Sequence, residues 1–122
     1  MKLSFSVVPF ITALILGAAS VFADDFVQAF KSFQSVITGS GASPTVDANS
    51  LPKLIELTKS LQSPEQESII RNLQDSNKQQ QGYALDRIGL ALYTKLSRYP
   101  EINDADIKYA LNWCIVARGQ LY

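Results

Sequence analysis

From Asp24 onward the apolar residues recur three and four positions apart, and no stretch alternates singly between turn signals. That regularity argues against a sheet, because a half-buried strand repeats every two residues and a helix every 3.6. Phe26, Phe30, Phe33 and Ile37 form one stripe of a helix over residues 24–38, with Asp24 and Asp25 at the positive end of its dipole. Gly39 is its expected C-cap, and residues 39–44 (Gly-Ser-Gly-Ala-Ser-Pro) are a flexible connection.

The same spacing places four more segments. A second helix is expected from about Ser50 to Leu61, with Pro52 in its first turn and Leu54, Leu57 and Leu61 facing inward. Ser63-Pro64-Glu65-Gln66 has the order of a capped helix start, Ser63 as cap and Gln66 completing a capping box. Ile69, Ile70 and Leu73 supply that helix's apolar face, and Glu67 stands four before Arg71 for a surface ion pair. Residues 75–82 are the least apolar stretch, a loop or the solvated middle of one long helix; Asp-Ser-Asn and the later Gly82 favour a break.

A fourth helix over 83–99 is expected to end before Pro100. Its apolar arc leaves Tyr83 and Leu90 on the polar side with Asp86 and Arg87. The fifth begins at the N-cap Asn103, has Ile102 and Ile107 positioned as a hydrophobic staple, and runs to Arg118 with Gly119 as C-cap. Apolar residues cover nearly its whole circumference, which places it at the centre of the molecule. The expected fold is therefore all-α: a single domain over residues 24–122, a bundle of four to five short helices.

Residues 1–23 do not belong to that domain. Lys2 gives a short positive start, an apolar run follows, and Val-Phe-Ala ends it before Asp24-Asp25. This is the pattern of a secretory signal peptide, with cleavage expected between Ala23 and Asp24. A membrane anchor needs about 20 apolar residues, and this run is interrupted at Pro9, Thr12, Gly17 and Ser20. The mature chain is expected to be secreted and to make no stable membrane insertion. Without residues 1–23 the apolar share falls from 47% to about 41%, still enough for one packed core.

Composition narrows the chemistry. With 11 Lys+Arg against 11 Asp+Glu, the chain lacks the cation excess that phosphate contacts need, so no nucleic-acid partner is expected. It has no His, which removes Ser-His-Asp and Cys-His catalysis and every His-bearing metal site. Its one Cys, Cys114, cannot form an internal disulfide. On the helical wheel Cys114 falls between Ile107 and Ala110, the position of a small buried hydrophobe; a monomer is expected over a Cys114-linked dimer. No phosphate-cradling Gly loop and no EF-hand loop occur, so no cofactor and no metal are expected.

Three groups of residues are candidates for function. The carboxylate pairs Asp24/Asp25, Glu65/Glu67 and Asp104/Asp106 have the residue types for glycoside hydrolysis. All lie at expected helix starts, where acids belong for dipole reasons. Phe26, Phe30 and Phe33 are core by their spacing, or the lining of a pocket for an apolar ligand. Tyr83 and Leu90, out of place on a polar face, are the candidate partner surface. The expected function is a secreted, non-enzymatic protein that binds another macromolecule, in the manner of small effector, inhibitor or toxin domains. A carrier of an apolar small molecule or lipid is the alternative, and a carboxylate hydrolase a distant third.

Overall fold

The computed structural model describes residues 25–38 and 44–121; the expected signal peptide and the Ala23–Asp24 bond lie outside them, as do Gly39 and most of the expected connection. The described residues contain helices and turns and no strand. Helix α1 covers 25–38, α2 Ser50–Ser60, α3 Gln66–Leu73, α4 Lys78–Tyr93 and α5 Asp104–Gly119. Helix α2 packs on α3, α3 on α4, and α4 on α5, the last pair forming an antiparallel hairpin.

Each start has a local cause. Before α2, Asp47 accepts from the backbone N–H groups of Asn49 and Ser50 at 2.9 and 3.0 Å. The Ser50 hydroxyl in turn accepts from the Asp47 N–H at 3.0 Å, so the pair works as a reciprocal cap. Those donors, the Ser50 N–H foremost, hold the Asp47 carboxyl below its usual range. Ser63 accepts from the Glu65 N–H ahead of α3, but the cap position falls to Glu65 and not to the expected Ser63, and Gln66 makes no return bond. Asn77 and Asn103 cap α4 and α5 by accepting from Gln79 and Ala105.

One core runs through all five helices. Phe26, Phe30, Phe33 and Ile37 are buried on α1, and Leu54, Leu57 and Leu61 close over them from α2 and its end. The Phe33 ring meets Trp113 of α5 edge-on at 5.4 Å, and Phe26 lies 4.8 Å from Tyr99. At full burial each such ring contributes about 3 kcal/mol or more. No buried side-chain nitrogen or oxygen lacks a partner among the described residues. Thr58 and Ser60, the buried hydroxyls of α2, return bonds to Leu54 and Leu57 carbonyls.

Four further expectations need correction. Helix α4 starts at Lys78, so the Gln79–Gln81 run and Gly82 are helical; the break is shorter, at residues 74–77. Asn77 supplies a cap that the polar composition obscured, and the Gln81 amide bonds back to the Asp75 carbonyl at 2.9 Å, tying the turn together. The same helix stops at Tyr93, six residues before the expected end. Ser97 has a left-handed backbone (φ 60°), and its N–H and hydroxyl both donate to Asp104 at 2.7 Å. This contact, seven residues along the chain, ties the turn to the start of α5. Finally, α5 is not enclosed: Ile107, Ala110, Trp113, Cys114 and Ala117 face the core, while Tyr109, Ile115 and Val116 face outward. The expected Glu67–Arg71 pair also does not form; Arg87 of α4 reaches Glu65 at 3.7 Å instead.

Candidate functional site

Six large apolar side chains stand exposed among the described residues, and α4 and α5 carry all of them. They are Tyr83 (60%), Leu90 (60%), Tyr93 (64%), Tyr109 (50%), Ile115 (59%) and Val116 (38%). Single exposed apolar residues are ordinary; a cluster on one hairpin is the informative case.

Helix geometry sorts them into two flanks. On α4, Leu90 follows Tyr83 by seven residues, within about 20° on the wheel, and Tyr93 is one turn further along the same side. On α5, Leu111, Ile115 and Arg118 lie at i, i+4 and i+7 on the edge facing α4, whereas Tyr109 and Val116 emerge on the opposite edge. Between the two helices runs an open groove of about 300 Å³. Leu90 and Tyr93 wall it from α4, and Leu111 and Ile115 from α5. Its floor is Leu85, Gly89 and Cys114. A Cβ built on Gly89 would meet nothing within 4 Å, so the glycine leaves the floor open where a side chain would fill it.

The groove holds one carboxylate, Asp86, and that carboxylate is partnered: the Arg118 Nε lies 2.8 Å from its two oxygens. Both side chains are nearly half exposed, so the pair contributes at most about 1 kcal/mol to stability. Its larger effect is local neutrality. Cys114 beneath is only 2% exposed. Burial, and secondarily the Asp86 charge, pushes its thiol up to about 12, leaving no thiolate at neutral pH. The same burial keeps Sγ from a thiol on another molecule.

Of the sequence candidates, Leu90 lines the groove and Tyr83 stands on the same stripe two turns before it. Tyr93, Leu111 and Ile115 were missed. Tyr93 was counted within a longer helix, and the α5 residues were assigned to the interior. Phe26, Phe30 and Phe33 are at most 1% exposed, with rings on Tyr99 and Trp113, and line neither this groove nor the second concavity.

That second concavity, about 700 Å³ between α1 and α2, is lined mainly by polar side chains, among them Gln28, Lys53, Glu56, Lys59 and Gln62. One member of each of two carboxylate pairs is drawn into local structure: Asp104 takes both Ser97 donors, which hold its carboxyl below the usual range, and Glu65 faces Arg87; of the third pair, Asp24 lies outside the described residues. Among the described residues no three His, Cys, Asp or Glu side chains gather as metal ligands, and no helix is long and apolar enough to cross a membrane. Compared with family models, with characterised proteins and with solved structures, the chain matches none.

Proposed function

We propose that this is a small secreted, non-enzymatic helical protein that works by binding another macromolecule through the α4–α5 hairpin. One observation carries the reading: the exposed large apolar side chains of the described residues all fall on these two helices, and Leu90, Tyr93 and Ile115 share one groove. Leaving them in water forgoes about 1–2 kcal/mol each relative to burial. Tyrosine and branched aliphatic side chains around a pocket, next to a neutralised charge pair, have the make-up of an interface centre more than of a solvated surface. Export rests on the tripartite pattern of residues 1–23. The non-enzymatic part rests on the lack of His, the protonated state of Cys114, and the engagement of Asp104 and Glu65 in structural contacts.

A photo-crosslinking residue placed at position 90 or 115, in the protein's own extracellular medium, tests the reading. Adducts of macromolecular mass are expected from both positions and not from position 76, on the distant α3–α4 turn. Equal yields from all three sites, or none, refute it. A carrier role draws on the volume of the same groove, which suits a small apolar molecule. Native mass spectrometry of the protein from its producing culture separates the two, because a carried ligand adds a small fixed mass. The same spectrum reports whether the chain begins at Asp24.

A further inference from the structure

We infer that the occupant of the α4–α5 groove is a second copy of this chain, the two hairpins packing face to face into a non-covalent twofold dimer. This rests on reading the hairpin as a macromolecular binding surface, and it names the partner.

Area is the first argument. Tyr83, Leu90, Tyr93 and Ile115 are each about 60% exposed. At roughly 200 Å² for a side chain of this size, they offer about 500 Å² of surface in all. A standard interface buries about 800 Å² on each partner, and homodimers make about 65% of it apolar. The stripe therefore supplies about the apolar share of one half of a dimer interface, the polar remainder coming from the residues that flank it.

Charge is the second. Without residues 1–23 the chain carries 10 Lys+Arg against 11 Asp+Glu, a net charge of −1, so little net repulsion keeps copies apart. The groove's one carboxylate is already held by Arg118 within the same chain, and closing a second copy over it strands no unpaired charge. A foreign partner recognised by charge would need an unbalanced one.

Shape is the third. A twofold axis over an antiparallel hairpin generates a four-helix arrangement with crossing angles near 20°. Each copy offers apolar walls at Leu90 and Ile115 on either side of a floor left open at Gly89, so the same surface can meet itself across the axis. Such an isologous contact is complete at two copies and does not propagate.

Sedimentation equilibrium of the purified protein, with and without reductant, is the test. The expected result is a dimer with a dissociation constant at or below about 100 µM, unchanged by reductant because Cys114 is buried. Leu90→Glu and Ile115→Glu should each weaken it by roughly 100-fold or more, since every substitution occurs twice in a symmetric contact. Both sites are exposed, so helical circular dichroism should not fall, and the melting temperature should drop no further than that of wild type diluted to monomer. Tyr109→Glu, on the other edge of α5, should remain dimeric. A wild-type monomer at about 100 µM, or a dimer indifferent to both glutamates, overturns the inference. Loss of the dimer in Tyr109→Glu overturns the choice of face. The two readings fail separately: crosslinks from positions 90 and 115 no stronger than from position 76 remove the binding surface itself, whereas crosslinks to foreign macromolecules with the protein monomeric leave that surface standing and remove only the dimer.

Discussion

Truncating Phe33 to alanine separates a packed core from a ligand-lined pocket. Phe33 is fully buried on α1, with its ring edge-on to Trp113 at 5.4 Å. Burying about 200 Å² of aromatic side chain is worth about 5 kcal/mol at 25 cal/mol per Å². The alanine methyl and partial collapse of the site recover some of this, which leaves an expected loss of about 3–5 kcal/mol. Against a total of about 5–15 kcal/mol for a domain of this size, the variant sits near the edge of folding. At about 4–8 °C per kcal/mol, its melting temperature should fall by at least about 12 °C. The assay is built in, because Trp113 is the sole tryptophan. Urea unfolding followed by its emission gives the free-energy change, and the native emission should shift red as water reaches the space Phe33 vacates. Phe33→Leu should cost about 1–2 kcal/mol, the smaller loss expected of a better volume match. A Phe33→Ala loss below about 1 kcal/mol would refute the packed-core argument. It would point instead to a side chain lining an unfilled space, as a carrier requires.

Other consequences are quicker to check. Thiol reagents at pH 8 should label Cys114 only at the rate of global unfolding, since burial and a pKa of about 12 leave almost no accessible thiolate; fast labelling in native buffer would contradict this. Asp47 and Asp104 have carboxyls held low by their hydrogen bonds, so the stability they contribute is present above the unfolded value near pH 4 and is lost as pH falls through their folded values. Melting temperatures from pH 5 to pH 2 should therefore fall less steeply for Asp47→Asn with Asp104→Asn than for wild type. Gln62 has a left-handed backbone (φ 55°) at the end of α2. Gln62→Gly should raise stability by up to about 1 kcal/mol in chemical denaturation, and a loss would show that its contact with the Lys59 carbonyl outweighs the strain.

Much of the fold was legible because its signals are short-range. The Phe26–Ile37 stripe, the Leu54–Leu57–Leu61 face and the Asn103 cap depend on residues a turn apart, and all three stand as expected. Misreadings occur in the turns on either side of α4, where side-chain bonds two to seven residues apart fix the helix ends and hydrophobic period is silent. Nothing near Tyr99 shows that Ser97 will be bent by two bonds to Asp104. A Gln-rich stretch before Gly82 resembles a loop until Asn77 is seen capping it and Gln81 reaching back to Asp75. The candidate site was half visible. Leu90 stood out by its place on a polar face, but Ile115 had no such contrast on a helix apolar all round.

The amino-acid sequence by itself determined a helical chain with enough apolar residues for one core, and no residues for histidine-based catalysis. Period, caps and composition act locally or not at all, so tertiary contacts could not alter them. Only the tertiary structure decided which side of α5 the core would take. The four other helices do not surround the sixteen-residue α5, and it was left with Ile115, Val116 and Tyr109 in water. It also brought Leu90 and Tyr93 beside Leu111 and Ile115, residues some twenty positions apart, around an open glycine floor. A groove between two helices is a property of their packing, and no single helix encodes it.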